Sequence, residues 1–195
     1  LQQQGLRVAL CEQANEPFVG GAGLVIGASG ARVLGQLGLG AALDDLAVRP
    51  AHIAIRHFQT GRLLAETPTS AGDGCRIGRA DLQRALIAAI HSNDRDCLRT
   101  GHTLADIGQD GSGLSALFGD RQMLRGSLLV ACDGQRSAVR TRLFGDEQPR
   151  FTGYQVWQGL VPMSHLTAAA PTLGDATVWI GPGQQLGCGS ICRGT

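Results

Sequence analysis

The strongest prediction of the fold comes from one stretch of the sequence: Leu128-Leu-Val-Ala-Cys-Asp-Gly-Gln-Arg-Ser-Ala-Val-Arg140. Its first part, Leu128 to Cys132, is short and aliphatic and runs into the turn pair Asp133-Gly134, which predicts a buried strand. From Gln135 onward the apolar residues fall on one helical face, and Gly145 is placed to end the helix. A strand that leads into a helix through such a turn predicts an α/β fold.

Asp133 would then lie at the carboxyl end of a strand, where open α/β sheets bind their ligands. Its carboxylate can accept a hydrogen bond from a sugar or ribityl hydroxyl, while free N–H groups at the helix start suit a phosphate. An ordinary Asp-Gly turn within a strand-helix unit has the same sequence, so both interpretations stay open.

The opening of the chain contains a second strand signal. Leu6 to Cys11 reads as a buried strand that ends in Glu12-Gln13. An acidic residue there is the usual ribose ligand of a Rossmann-type unit, and it follows the glycine-rich phosphate loop by about 20 residues. We therefore expect that loop upstream of Leu1, with Gln2 to Gly5 as a last helical turn and Gly5 as its left-handed stop. A solvated strand end is the alternative.

The region 20–40 is rich in glycine and includes an apolar segment that Ser29 would cap. They indicate either backbone close to a ligand or a flexible surface loop. A helix is predicted from Arg79, because apolar residues recur at helical spacing from Leu82 to Ile90 and Asp81 falls in the first turn. Arg79 stands at its start, where it reaches a pyrophosphate or simply faces solvent.

Composition narrows the function classes. The chain has 195 residues and a net charge of +1. Its basic residues are all arginines without a run or an aromatic stripe, which argues against nucleic-acid binding, and the lack of lysine excludes Schiff-base chemistry. No apolar stretch reaches membrane-spanning length and no leader is visible, so we expect a cytoplasmic protein. The 6 cysteines show neither a Cys-x-x-Cys pair nor zinc spacing; we expect reduced thiols and no metal, with Cys188 and Cys192 the one pair placed to bridge.

Taken in order, these residues resemble the FAD-dependent monooxygenases of the single-component aromatic hydroxylase type, similar to para-hydroxybenzoate, salicylate and urate hydroxylases. The Asp-Gly motif within 128–140, which in that family serves both FAD and NAD(P)H, is one of the two most specific matches. The other matching pieces are Glu12, Gly21-Ala-Gly23 with Arg32 and Leu37-Gly-Leu39, Arg79-Ala-Asp-Leu82, Phe144-Gly-Asp-Glu147, and the second specific match, Thr152-Gly-Tyr-Gln-Val-Trp-Gln-Gly-Leu-Val-Pro162.

The resemblance implies a fold and a division into domains. Residues 1–148 are expected to form a partial Rossmann-like, glutathione-reductase-like FAD-binding domain that lacks its first strand and phosphate loop. The predicted hairpin within 51–70 would join a mixed or antiparallel substrate-domain sheet, whose incomplete start is residues 149–195. Further strands are expected at 97–104, 113–118, 123–125, 177–180 and 185–191, and along the alternating residues from Tyr154 to Val161.

The implied function is hydroxylation of a small aromatic compound with FAD as cofactor, NADH or NADPH as co-substrate and O2. Because the cofactor carries the chemistry, no catalytic side chain is assigned. By resemblance, the cofactor-binding residues are Glu12, Gln13, Arg79, Leu104 (through its backbone, along the adenine), Asp133 and Gly134. The substrate side is expected to include Tyr154, Trp157 and Gln158.

The chain also departs from the family pattern. Ala28-Ser29 stands where many relatives have Pro-Asn, Gln158 stands where they have arginine, and the second FAD signature does not occur before Thr195. Two other interpretations therefore stay open: a non-catalytic remnant or fragment without tight flavin binding, and another FAD oxidoreductase such as a geranylgeranyl reductase or squalene epoxidase relative. The oligomeric state is not predicted.

Overall fold

The computed structural model describes residues 1–17, 20–70, 74–111, 113–146, 148–166 and 176–191. The chain divides into two compact units, each built from two segments. The first unit comprises residues 1–18 and 94–157, and the second comprises residues 19–93 and 158–195. This division differs from the expected domain boundary at 148/149, which stays a prediction about the functional domains.

In its described residues, the first unit contains a short parallel pair, a three-stranded meander and one α-helix. It begins with a 3₁₀ turn at Gln2–Gln4, and Gly5 ends that turn in the predicted left-handed conformation (φ 77°). Strand β1 pairs in parallel with β6, and β7, β8 and β9 form an antiparallel meander. The bounds are β1 Leu10–Cys11, β6 Leu98–Arg99, β7 Leu104–Asp110, β8 Gly113–Phe118, β9 Met123–Gly126 and α4 Ala138–Phe144.

Within its described residues, the second unit contains two sheets and three α-helices, together with a π-helix at Gly35–Leu39 and a 3₁₀ helix at Met163–His165. An antiparallel pair joins β2 to β5, and a four-stranded sheet has the order β11-β10-β3-β4. That sheet is mixed, because β3 and β10 run parallel whereas the two outer pairs are antiparallel. The bounds are β2 Gly23–Gly27, α1 Ala28–Leu34, α2 Gly40–Leu46, β3 His52–His57, β4 Leu63–Pro68, β5 Gly74–Gly78, α3 Arg79–Asn93, β10 Ala176–Gly181 and β11 Gln184–Gly189.

A small apolar core holds the second unit together. Its buried members are Leu43, Ala47, Cys75 and Ile77, and partly buried side chains from β2, α1 and α3 pack against them. Ile77 is fully buried. Helix α3 contacts this cluster through the partly buried Leu82, which lies on the apolar face that its residue spacing predicts; no residue of α3 is fully buried.

Several expectations are confirmed. The hairpin of β3 and β4 forms, with a turn ahead of Gly61 (φ 65°). Helix α3 begins at Arg79 with Asp81 in its first turn. Strands β8, β9, β10 and β11 fall within a residue or two of their predicted bounds, and Gly145 follows the last residue of α4 with a positive φ of 89°.

Two predicted strands are wrong. Residues 128–132 form no strand, and Leu128 is 70% and Val130 60% exposed. Residues 150–161 form none either, although their apolar residues alternate. An extended run becomes a strand only when a neighbouring strand takes up its backbone hydrogen bonds, and no strand within the described residues does so. Cys132, expected in a buried strand, is consequently exposed.

Three local boundaries also differ from prediction. The first strand is confined to Leu10–Cys11 rather than starting at Leu6, and the strand predicted at 97–104 is divided into β6 and the start of β7. Helix α1 begins at Ala28 after Gly27, with no side-chain cap, so Ser29 lies inside the helix instead of capping it. Reduced thiols were expected, with Cys188 and Cys192 the one pair placed to bridge; Cys192 lies outside the described ranges, so that pair stays untested.

The turn between β8 and β9 contains the one non-glycine residue with positive φ in the described part of the chain, Arg121 (φ 67°). A side chain in this left-handed region costs about 1–2 kcal/mol, and asparagine tolerates it best among the residues other than glycine. We expect Arg121→Asn to raise the free energy of unfolding by about 0.5–1 kcal/mol. Thermal denaturation would check this, with the exposed Arg95→Asn as control; a lower melting temperature for Arg121→Asn alone would contradict it.

Candidate functional site

Glu12 lies where two parallel strands end together. Leu10 N–H donates to the carbonyl of Cys97 (2.8 Å), and Glu12 N–H donates to the carbonyl of Arg99 (2.9 Å). The loop after Glu12 is held to the chain beyond β6, because His102 N–H donates to the carbonyl of Glu12 (2.9 Å). Backbone hydrogen bonds on both sides thus fix Glu12 at the carboxyl edge of the pair, which is the ligand-binding edge of α/β sheets.

One of the two oxygens of the Glu12 carboxylate accepts a hydrogen bond within the described residues. Its Oε1 accepts a hydrogen bond from the N–H of Ala14 (2.8 Å), whereas Oε2 accepts none from the residues that the structure describes. An ionised carboxylate offers about four acceptor positions. Glu12 is therefore oriented by its own loop and keeps acceptor capacity for a diol such as a ribose. The neighbouring Gln13 is exposed.

Leu104 is the first residue of β7 and lies two residues after His102. It is partly buried, and the preceding Thr103 carbonyl accepts a hydrogen bond from Gly119 N–H (2.9 Å). The structure therefore places Glu12 and the chain leading to Leu104 side by side within the first unit, although these residues are far apart in the sequence.

Asp133 organises the start of α4. Its Oδ1 accepts a hydrogen bond from the Ser137 hydroxyl (2.5 Å), and its Oδ2 accepts one from the N–H of Val139 (3.1 Å). Ser137 in turn caps the helix by accepting from Arg140 N–H (2.9 Å). Gly134 has φ 76°, which a side chain would disfavour, so the turn between Asp133 and the helix requires glycine.

The pKa of the Asp133 carboxyl follows from these contacts. Burial raises it, but the hydrogen bonds from Ser137 and from the backbone N–H groups of Val139 and its neighbours outweigh burial and lower the pKa below 3.8. Asp133 is thus ionised at neutral pH and already held in one orientation. Ser137 was not among the predicted site residues, although its spacing from Asp133 and Arg140 is a helix-capping signal that the sequence contains.

Arg79 lies beside the glycine segment in the second unit. Its backbone N–H donates to the carbonyl of Ala22 (3.3 Å). A β-carbon at Gly21 (φ +104°) would lie 3.0 Å from Arg79 Cδ and 3.1 Å from Nε. The Arg79 side chain is exposed and its guanidinium makes no hydrogen bond or ion pair with any described residue. Glycine at this position therefore leaves room for an arginine side chain that is free to bind an anion.

The glycine segment meets protein rather than open space at its other end. A β-carbon at Gly23 would collide with the side chain of Ile191. From Gly23 onward the glycine region forms β2, α1, a π-helix and the start of α2, so this part of it is not the flexible surface loop considered as an alternative.

The three expected substrate-side residues are exposed. Tyr154 is 81% and Trp157 90% exposed, and Gln158 is exposed as well. Because residues 150–161 form no strand, nothing in the described part of the chain aligns these side chains. Their role in substrate binding stays a prediction.

Neither a metal-binding cluster nor a membrane-spanning helix is found in the described ranges. No group of three or more His, Cys, Asp or Glu side chains is placed to hold a metal ion. Among the helices the structure describes, none has the length and apolar content to cross a membrane.

A family model described as "FAD binding domain" matches residues 1–180 of this chain. The chain belongs to the FAD binding domain family. The α/β fold expected from the sequence is confirmed by a solved structure, Klebsiella pneumoniae HpxO complexed with FAD and uric acid. It superposes on 96% of this chain and 48% of its own with a TM-score of 0.78 and 23% identity.

Relatives of this FAD-binding domain include named monooxygenases. It is 31% identical over 198 residues to a 3-amino-4-hydroxybenzoate 2-monooxygenase of Streptomyces cremeus, covering 95% of this chain and 48% of the relative. It is 28% identical over 202 residues to an FAD-dependent urate hydroxylase of Klebsiella pneumoniae, covering 100% of this chain and 51% of the relative. The chain thus spans about half the length of the relatives it matches.

The lowered pKa of Asp133 predicts a pH-dependent contribution to stability. We expect Asp133→Ala to lower the free energy of unfolding by about 1 kcal/mol at pH 7, as loss of a helix cap does. Because the pKa is lower in the folded state, this contribution is present above pH 3.8 and lost as the pH falls through the folded-state pKa. Denaturant titration at pH 7 and in acid would check it.

The matched control for that experiment is Asp96→Ala. Asp96 is exposed in the same unit, and its carboxylate makes no ion pair within the described residues. A difference between wild type and Asp133→Ala that stays constant or grows toward acid pH would contradict the assigned role.

Proposed function

We propose that the full-length protein containing this FAD-binding domain is a cytoplasmic FAD-dependent monooxygenase that uses NADH or NADPH and O2 to hydroxylate a small aromatic compound. The observation that carries the proposal is Glu12, which lies at the carboxyl ends of β1 and β6 with a carboxylate oxygen left free by its own loop. Membership of the FAD binding domain family supports it.

The residues present fit FAD in their chemistry. A carboxylate with spare acceptor capacity at Glu12 suits the hydroxyls of a ribose. At Arg79, a guanidinium that forms no ion pair with the described residues suits the doubly charged pyrophosphate, which its planar fork can bind through two hydrogen bonds.

Four further positions complete the proposed cofactor contacts. Leu104 would run along the adenine with its backbone, and Gln13 would follow Glu12 as a further polar group. Asp133 would accept a hydrogen bond from the central, ribityl part of FAD, using the lone pairs that Ser137 and Val139 leave free. Gly134 keeps that approach open, since it has no side chain.

In flavin monooxygenases, bound FAD is reduced by NAD(P)H and supplies the transfer of one oxygen atom from O2 to the substrate. The protein residues then bind, orient and exclude water, and none is assigned as a proton donor or acceptor. We propose that Tyr154, Trp157 and Gln158 contact the aromatic substrate. Gln158 carries no charge, so its contact would be a hydrogen bond rather than an ion pair with an anionic ring substituent.

The relatives favour this function over the two alternatives raised by the sequence. The names of similar proteins include 3-amino-4-hydroxybenzoate 2-monooxygenase, FAD-dependent urate hydroxylase and 3-hydroxybenzoate 6-hydroxylase. These names support an aromatic substrate more than the isoprenoid substrates of the other FAD oxidoreductases considered. The other alternative, a fragment without tight flavin binding, is decided by measuring FAD binding directly.

The cofactor assignment predicts the effect of two substitutions on FAD affinity. Glu12→Gln keeps an acceptor for Ala14 but removes the charge, and Arg79→Gln removes the cation. Each should raise the Kd for FAD about 10-fold or more, since hydrogen bonds to charged groups contribute about 1.5–3 kcal/mol. Titration of the full-length apoprotein, followed by quenching of flavin fluorescence, measures this.

Matched controls lie close by in each case. Glu16→Gln changes an exposed carboxylate of the same loop, and Arg84→Gln changes an exposed arginine on α3 that pairs with Asp81. Both should leave the Kd for FAD unchanged. Equal losses in a site variant and its control would count against the assignment, and a wild-type protein that binds no FAD would end it.

The reaction class has its own test. The FAD-loaded full-length protein is incubated under 18O2 with NADH or NADPH and, separately, 3-hydroxybenzoate, 3-amino-4-hydroxybenzoate or urate. We expect one of these compounds to stimulate NAD(P)H oxidation and to yield a product that contains one labelled oxygen atom, detected by mass spectrometry. Oxidation of NAD(P)H with no labelled product from any of them would contradict the proposed aromatic hydroxylation.

A further inference from the structure

Strand β7 contains a bulge directly after Leu104. Leu104 pairs with Phe118 and Asp106 pairs with Leu117, so Ala105 has no opposite residue in β8. A bulge takes the backbone of its extra residue out of the ladder, and the carbonyl there needs another donor. The position of the Leu104 backbone therefore depends on the group that donates a hydrogen bond to the carbonyl of Ala105.

One side chain from α4 holds this bulge. Arg142 Nη2 donates a hydrogen bond to the carbonyl of Ala105 (2.9 Å), and Arg142 Nε lies 3.5 Å from Oδ1 of Asp106. The same Asp106 oxygen accepts the N–H of Ile107 (2.9 Å), which keeps the carboxylate turned toward the strand. The guanidinium thus contacts both residues that define the irregularity.

The position of Arg142 connects two predicted cofactor contacts. Helix α4, which carries Arg142, is capped at its start through Asp133 and Ser137. The bulge that Arg142 holds follows Leu104 without an intervening residue. Arg142 therefore joins the turn at Asp133 to the backbone at Leu104 through one helix, and both ends of this link lie in the first unit.

We propose that Arg142 is a positioning residue for FAD: it fixes the bulge at Ala105 and so holds the backbone of Leu104 in place for the adenine. The inference rests on the proposed function, because it assumes that FAD binds along Leu104. Both partners of the ion pair are half exposed, with side-chain exposures of 54% and 56%. Exposed ion pairs of this kind contribute little to global stability, so the effect should appear in binding.

The test uses the full-length apoprotein with Arg142→Met, which keeps most of the aliphatic stem and removes every donor. Affinities for FAD, ADP and FMN are measured by fluorescence titration or competition, together with the melting temperature. We expect the Kd values for FAD and ADP to rise by a similar factor of about 5 or more, with FMN affinity unchanged, because only FAD and ADP contain adenine. Arg95→Met, at an exposed arginine of the same unit, should change none of them.

A second variant separates the two contacts of Arg142. Asp106→Asn removes the ion pair but leaves the hydrogen bond from Arg142 to Ala105, so FAD affinity should stay within about 2-fold of wild type. Arg142→Lys retains a donor and should recover part of the affinity, which also covers the case in which Arg142→Met does not fold.

The outcomes distinguish this inference from the proposed function. If the wild type binds FAD, and Arg142→Met binds FAD and ADP with the same Kd values as the wild type, the positioning role is overturned and the proposed function stands. A loss of affinity shared equally by FAD, ADP and FMN would overturn it too, because a general structural effect does not select adenine. If the wild type binds no FAD, the proposed function fails, and the positioning role fails with it.

Discussion

The parallel pairing of Leu10–Cys11 with Leu98–Arg99 is the interaction on which the candidate site of the first unit depends. It is short, yet it brings residues almost 90 positions apart in the chain into register, and its hydrogen bonds continue through Glu12 to Arg99. These bonds fix the backbone of Glu12, and the hydrogen bond from Ala14 N–H then orients its carboxylate. The return contact from His102 to the Glu12 carbonyl then brings the chain to Leu104, so a single parallel pair arranges two of the proposed cofactor contacts.

Sequence patterns predicted those elements whose stabilising contacts are local or lie in the same unit. The hairpin of β3 and β4 formed because a tight turn brings its strands together. Helix α3 formed with the predicted spacing, and its Leu82 packs against the cluster around Ile77. The runs at 128–132 and 150–161 have equally clear strand patterns and form no strand. A strand pattern states which residues suit an extended conformation, but a strand exists only where another backbone pairs with it. The residues of the run alone do not show whether such a pairing strand is present.

The candidate site was predictable in its residue types more than in its supporting contacts. Glu12, Arg79 and Asp133 were named from motifs, and the structure gives each a defined surrounding. Asp133, expected as a ligand, proves first to be the group that organises α4, and Ser137 shares that task. Arg142 and the bulge at Ala105 had no signal in the sequence, because the two residues are 37 positions apart and a bulge depends on the register of two strands. Contacts of this kind become visible only in three dimensions.

The exposed run 128–132 has a consequence for handling this polypeptide. It combines aliphatic, β-prone residues without charge or proline, the composition of segments that nucleate intermolecular β-structure. Two charged residues, Arg125 and Asp133, flank it. Charges at such flanks act as gatekeepers that slow cross-strand stacking between chains. Asp133 would therefore protect the chain against aggregation in addition to holding the start of α4, and its substitution would lower the soluble yield.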